Sequence, residues 1–248
     1  LYMAYVLVWV RMRPEEAPLY TVERVPLKER MVDPVQYLLP LSLIIFMVLG
    51  FIFLGVATPT EAAATGTLGA FVLGLAYRCL DRAVLKRSVM GTVKVTVMIF
   101  MIIIVSNTYG EILAFTGAAS GMTTFITNLH VSPTLILVGM LLVVLVMGCF
   151  METVAIMMIT LPIYMPVVIA LGFNKIWFGV LMLIALETGL ITPPFGVTLF
   201  VMKGVAPKEI TMADIWRAVT PYVMIDLLCI GLVMAVPGLA TLIPSLMG

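Results

Sequence analysis

Long apolar runs separated by short polar stretches set the pattern of this chain. Tyr37 to Val56 is one such run, and about 20 mostly apolar residues suffice for a helix to cross a bilayer. Thr58-Pro59-Thr60-Glu61-Ala62-Ala63 interrupts it, and Thr65 to Tyr77 continues as a Gly- and Ala-rich helix, so 37–77 predicts a helix pair. Leu80, Val84, Leu85 and Val89 then recur at helical spacing among Arg78, Arg82, Lys86, Arg87 and Lys94. That predicts an amphipathic arm helix over 80–94, lying at the membrane interface. A spanning helix over 95–117 follows, kinked near Ser106-Asn107-Thr108, and Thr116 to Ser132 reads as a polar, small-residue connection. Thr134 to Met147 and Val154 to Leu171 are two apolar helices joined by Gly148-Cys149-Phe150-Met151-Glu152-Thr153, giving a hairpin over 133–171. An interrupted helix over 176–204 and a last helix over 211–240 complete the pattern.

Composition agrees with this picture. Hydrophobic residues make up 62% and charged residues 11%, against about 45–50% and 25% in soluble domains. Mean hydropathy is +1.19. The class predicted is an all-α polytopic membrane protein, with 1–248 forming one membrane domain in a lipid bilayer. The formal net charge of +1 and the absence of a basic stripe point to no nucleic-acid partner. Cys79, Cys149 and Cys229 show no paired spacing and read as membrane thiols rather than a disulfide framework or metal site. Leu1 is not a methionine, and Leu1 to Val10 is too short to span. Its positive charges, Arg11 and Arg13, follow the apolar run, the reverse of a signal peptide. The expectation is that 1–10 is the end of a truncated helix and the chain a fragment.

Lys and Arg concentrate in 11–30, 78–94 and 203–217, leaving only Lys175 elsewhere. By the positive-inside rule those three stretches are cytoplasmic. An odd number of crossings must then lie between Thr116 and Lys203. Either all three apolar segments cross, or 133–171 is a re-entrant hairpin and the broken helix crosses once. The second arrangement is preferred, because it brings the Gly148–Thr153 turn to face the interruption at Gly189–Gly196.

That interruption, Gly189-Leu190-Ile191-Thr192-Pro193-Pro194-Phe195-Gly196, carries the candidate chemistry. Two prolines remove two donors and disfavour helical geometry before them. In hydrocarbon a broken helix persists only where protein or a water-filled cavity covers its freed backbone. Its carbonyls can hold a cation, and its half-helix ends can face charge.

Three motifs resemble the large membrane subunit of tripartite ATP-independent periplasmic (TRAP) transporters, the DctM-like family. They are Gly55-Val56-Ala57-Thr58-Pro59-Thr60-Glu61-Ala62-Ala63, Met147-Gly148-Cys149-Phe150-Met151-Glu152, and Glu187-Thr188-Gly189-Leu190-Ile191-Thr192-Pro193-Pro194-Phe195-Gly196 followed by Leu199-Phe200. The resemblance covers nearly the whole chain and corresponds to the family's C-terminal half. It implies half of an inverted-repeat elevator transporter: a sodium-coupled importer of organic acids such as C4-dicarboxylates, in a bacterial or archaeal inner membrane. It also implies two partners, a small four-helix membrane subunit and a periplasmic substrate-binding protein. No cofactor is implied beyond sodium as the coupling ion. Carried over, the family's second sodium site falls on Gly148, Gly189, Thr192 and Phe195. The family usually has Val or Met where Phe195 stands, a change that a backbone carbonyl ligand survives.

No arginine lies in the apolar core, so a carboxylate substrate would rest on half-helix N-termini and hydroxyls such as Thr153, Thr188 or Thr198. Glu152 and Glu187 are intramembrane carboxylates, functional by default, or else hydrogen-bonded to half-helix N-termini. Thr192 either ligates an ion or caps the break. Thr58 and Glu61 fit a capping box. Ser106-Asn107-Thr108 is similar to a substrate triplet of related dicarboxylate/sodium symporters, but a kink accounts for it in this element. Glu111 and Asp226 read as helix-interface polar groups, and His130 as a solvated loop residue. A membrane channel, or another ion-coupled organic-anion symporter, is the alternative. An intramembrane enzyme is not supported, because no metal-spaced His/Asp/Glu set, Gly-x-Ser-x-Gly elbow or phosphate loop occurs.

Overall fold

The computed structural model describes residues 1–13, 38–128 and 131–246. The charged stretch 14–35 and His130 lie outside the described residues. Among those described, eleven helices and no strand occur. They are α1 (Tyr2–Met12), α2 (Leu39–Phe53), α3 (Pro59–Ala76), α4 (Arg82–Phe115), α5 (Ala118–Asn128), α6 (Pro133–Gly148), α7 (Thr153–Ala170), α8 (Lys175–Ile191), α9 (Val197–Val205), α10 (Met212–Ala235) and α11 (Gly238–Leu246). By length and composition α4, α7 and α10 suffice to cross a membrane, and α1, α2 and α6 are shorter apolar helices.

Two compact units divide the chain: Ala4–Val95 with Ser245–Gly248, and Leu1–Met3 with Thr96–Pro244. In the first, α2 packs along α3 through small residues. A side chain on Gly66 would meet Val48 at 2.8 Å, and one on Gly69 would meet Ile44 at 3.1 Å. Small residues permit such close approach where lipid offers helices no hydrophobic driving force. The α3 start is fixed by Thr58 and Glu61. The Glu61 carboxylate accepts from the Thr58 amide at 2.8 Å and from its hydroxyl at 2.7 Å, while Thr58 Oγ1 accepts from Glu61 N at 3.4 Å. This is a complete capping box. Its role is structural, joining the turn after α2 to the next helix.

Three local expectations are corrected. The arm helix at 80–94 and the helix at 95–117 are one continuous 34-residue helix, α4. No proline lies in it, its two glycines, Gly91 and Gly110, cost only about 1 kcal/mol each against Ala, and Thr108 Oγ1 donates to Ile104 O at 3.1 Å within the helix. At 1.5 Å per residue α4 is about 51 Å long, well beyond a hydrocarbon core of about 30 Å. The connection at 116–132 contains helix α5, whose threonines 123, 124 and 127 satisfy their hydroxyls on carbonyls four residues back, at 2.8–2.9 Å. The last helix ends at Ala235 rather than running to 240. Val236 precedes Pro237 and adopts φ −126°, ψ 79°, outside the helical region that a following proline disfavours.

The core of the second unit is built by α6, α7, α8 and α10. Leu137, Val144, Ile156, Phe178, Leu181 and Leu186 are fully buried there. α6 packs along α8, α5 lies on α7, and α8 also packs on α10. Three polar ties fix the arrangement. Tyr164 OH on α7 donates to Met140 O on α6 at 3.2 Å. Trp177 Nε1 at the start of α8 donates to Val233 O at the end of α10 at 2.8 Å, so these two helices run antiparallel. Tyr2 OH donates to Asp226 Oδ1 at 2.5 Å, which gives that helix-interface carboxylate a partner from α1.

Cys79 is exposed in the turn between α3 and α4, whereas Cys149 is buried at the α6 terminus. A membrane-impermeant maleimide is expected to label Cys79 only from the cytoplasmic face and to leave Cys149 unmodified until the protein is unfolded. Labelling of Cys79 from the opposite face would reverse the orientation read from the charges.

Candidate functional site

The hairpin turn and the helix break meet. α6 ends at Gly148, the turn Cys149–Met151 reverses the chain, and Glu152 starts α7. Opposite, α8 ends at Ile191 and α9 begins at Val197. A side chain on Gly148 would lie 2.7 Å from Gly189 Cα and 3.1 Å from Gly189 C. One on Gly189 would lie 2.7 Å from Gly148 Cα and 3.1 Å from Leu145 O. Both glycines are buried. The two backbones touch with no room for a β-carbon, so close approach is what these glycines supply.

The prolines explain the break. The carbonyls of Gly189 and Leu190 would normally receive the amides of residues 193 and 194, and proline has none. Thr192 takes an extended conformation (φ −82°, ψ 127°) and turns its amide to Gly189 O at 3.1 Å. Thr188 O, deprived of that amide, accepts the Thr192 hydroxyl instead at 2.6 Å. The Pro193–Pro194 bond is cis. Past it, Gly196 N donates to Thr192 O at 3.2 Å and closes the loop. Gly196 is buried, and a side chain there would lie 2.4 Å from Leu190 O and 3.0 Å from Thr192 O. Leu190 O and Thr192 O thus crowd Gly196 so closely that only glycine fits between them, while the Thr192 hydroxyl donates to Thr188 O. Hard cations take oxygen ligands of this type, and no formal charge is buried to provide them.

The sequence-predicted residues separate into two groups. Gly148, Gly189, Thr192 and Phe195 gather where the hairpin tip meets the break. Phe195 carries its ring against Phe150 on the tip, with centroids 5.4 Å apart. Glu152 stands beside them as the N-cap of α7, accepting from Val154 N at 2.9 Å and Ala155 N at 3.3 Å. Thr153 follows as the first helical residue, half-buried. Thr188 is fully buried and donates to Ile184 O on its own helix at 2.7 Å. Thr198 lines a separate cavity of about 600 Å³ with Leu199, Met202, Ile215 and Tyr222. Two participants escaped the sequence reading. Leu190 contributes a freed carbonyl, which the spacing to Pro194 already signalled, and Phe150 contributes the ring under Phe195, which nothing in its spacing signalled.

Replacing Glu152 by Ala removes the cap and leaves two amides at the start of α7 unpaired. The expected cost is about 1 kcal/mol, and Ser or Asp should restore most of it. Thermal unfolding of Glu152→Ala, Glu152→Ser and Glu152→Asp checks this. Loss of transport in Glu152→Ser with stability restored, while Glu152→Asp keeps transport, would assign the carboxylate a role in transport beyond capping.

An all-helical, apolar chain in which a helical hairpin abuts a proline-broken helix defines a polytopic membrane protein. The chain belongs to the family of the tripartite ATP-independent periplasmic transporter, DctM component, whose model matches residues 1–239. It is 31% identical over 244 residues to a C4-dicarboxylate TRAP transporter large permease protein DctM of Pseudomonas aeruginosa, covering 98% of this chain and 56% of that protein. A sialic acid TRAP transporter large permease protein SiaM of Vibrio cholerae is 29% identical over 201 residues, 81% of this chain and 47% of that protein. An isethionate TRAP transporter permease protein DctMQ of Oleidesulfovibrio alaskensis is likewise 29% identical over 201 residues, covering 81% of this chain and 30% of that protein. The chain spans about half the length of the first two relatives and less of the third. These relatives are permeases, not enzymes.

Proposed function

We propose that this chain is part of the large permease subunit of a sodium-coupled TRAP transporter that imports an organic acid across a bacterial or archaeal inner membrane. A periplasmic binding protein delivers the substrate, and a small four-helix membrane subunit completes the permease. One observation carries the reading: the contact of Gly148 with Gly189, which sets the hairpin tip against a break whose carbonyls two prolines have freed. Gly148, Gly189, Thr192 and Phe195 are the residues that would hold sodium, with Leu190 O added to them. Sodium would supply the coupling to an electrochemical gradient. A re-entrant hairpin is supported by α6, which rises about 24 Å, short of a hydrocarbon core of about 30 Å, and by the seating of its tip against the break. The reading places the hairpin and broken helix in one half of an inverted-repeat elevator. The substrate class follows the relatives, whose names specify C4-dicarboxylate, sialic acid and isethionate, all organic anions. Glu152, Thr153, Thr188 and Thr198 were the candidates for substrate or gate. The hydroxyl of Thr188 is committed to its own helix, and Thr153 at the start of α7 is the best placed of the four.

The test is uptake of a labelled organic acid into proteoliposomes containing the full-length subunit, the small subunit and the binding protein. Uptake is expected only with an inward sodium gradient. Equal uptake in potassium would refute sodium coupling, and currents of single-channel size would assign a channel instead.

A further inference from the structure

Phe150 and Phe195 meet ring to ring across the junction of hairpin tip and broken helix, with planes tilted by 39°. They are 63% and 51% exposed, so the contact stands outside the core that holds α6 and α8 together. Each side of the junction has its own backbone bonds. On the tip, the amides of Phe150 and Met151 both donate to Met147 O at 2.9 Å. At the break, Thr192 N reaches Gly189 O and Gly196 N reaches Thr192 O. The rings therefore join two locally closed loops, one on each side of the Gly148–Gly189 contact.

We propose that the Phe150–Phe195 ring pair is a latch that holds the hairpin tip closed over the broken helix and thereby sets how tightly the oxygen-lined break retains a monovalent cation. The inference rests on the sodium reading above. Tilted aromatic pairs contribute roughly a two- to tenfold factor in an equilibrium constant beyond the area they bury. If the cation site is complete only when the tip is seated, apparent affinity falls in proportion to the fraction of molecules with the tip seated. Weakening the rings then raises the sodium requirement without touching any ligand. The latch is a property of the side chain at position 195, separate from the carbonyl that this residue would offer the ion. An aliphatic residue there keeps the carbonyl and loses the ring.

The experiment is a double-mutant cycle in the full-length subunit: Phe150→Leu, Phe195→Leu and both together, with Phe195→Tyr as the aromatic replacement. The rise in unfolding temperature with added sodium chloride, against potassium chloride, gives the half-saturating sodium concentration for each. Each Leu variant is expected to raise that concentration about two- to tenfold. The double variant should go no further than the larger single, and Phe195→Tyr should remain near the parent. Unchanged half-saturation in the single variants, or additive effects in the double, overturns the latch. Thr192→Ala measured alongside separates the two ideas. If it abolishes the sodium response while the Phe variants leave the response unchanged, the latch alone fails. If the parent protein itself gains no more stability from sodium than from potassium, the sodium reading fails and takes the latch with it.

Discussion

Gly148→Ala and Gly189→Ala are each expected to destabilise the protein far more than alanine substitutions elsewhere on the same two helices. The added methyl would sit 2.7 Å from the opposing Cα in either case, and the atoms it meets are backbone. A side chain could rotate away; two packed helices must instead separate. Overpacking of this kind costs about 1–3 kcal/mol, and the tip would lift from the break. Gly139 on α6 and Gly179 on α8 provide the comparison, because a side chain at either meets nothing within 4 Å. Alanine there should be neutral or gain up to about 1 kcal/mol of helix propensity. The measurement is the unfolding midpoint of the four variants of the full-length subunit in one detergent. A change of 1 kcal/mol moves the midpoint by about 2–4 °C for 150–250 residues, and by less in a longer chain. Midpoints of Gly148→Ala and Gly189→Ala that match those of Gly139→Ala and Gly179→Ala would remove the close contact on which the site is built. The same two variants should also lose sodium-dependent uptake, since the tip and break would no longer be in register.

Much of this site is legible in the sequence because proline and glycine act locally. Pro193 and Pro194 withhold amides from carbonyls four residues earlier, so the end of α8 and the loss of those helical bonds at Gly189 and Leu190 follow from spacing alone. The capping box at Thr58 and Glu61 is equally local. What spacing does not encode is which surfaces meet. The charge distribution turns the hairpin tip toward the break, but nothing in the order of residues shows that Gly148 itself lies against Gly189 rather than against lipid; that comes from the packing of α6 along α8. The extent of α4 was misjudged for a related reason. A change from amphipathic to apolar pattern at Lys94 marks where a helix changes environment, not where its backbone stops, and only proline or a turn would have stopped it. The short helix α5 was hidden by threonine and serine, residues that weaken a helix in water. Here each threonine hydroxyl is satisfied on a carbonyl within the same helix, and Ser120 on Gly117 O just before it.

Thr192 is where removing a single atom should have the largest effect on ion dependence. Its hydroxyl donates to Thr188 O at 2.6 Å, which leaves the oxygen lone pairs able to face a cation, while its amide donates to Gly189 O. Thr192→Val keeps the shape and removes the oxygen; Thr192→Ala removes both; Thr192→Ser keeps the oxygen and the bond to Thr188. A purely capping threonine predicts that Val and Ala lose stability because Thr188 O is left unpaired, at about 1–3 kcal/mol, with the sodium response intact. A ligating threonine predicts a second, separable loss. An ion that binds only the folded state stabilises it by RT ln(1 + [ion]/Kd), so a sodium site weakened tenfold would forfeit about 1.4 kcal/mol of that increment at saturating salt. The expected result is that Val and Ala shift half-saturating sodium upward by tenfold or more in both the unfolding and the uptake assays, while Ser stays within a few-fold of the parent. Measuring each variant in sodium and in potassium separates the two effects, because the cost of the lost cap appears in both salts and the cost of the lost ligand only in sodium. If Val and Ala unfold earlier by the same amount in both salts and keep the parent's sodium increment, Thr192 is a cap, and the ion site must be sought among the carbonyls of Gly148, Gly189, Leu190 and Phe195.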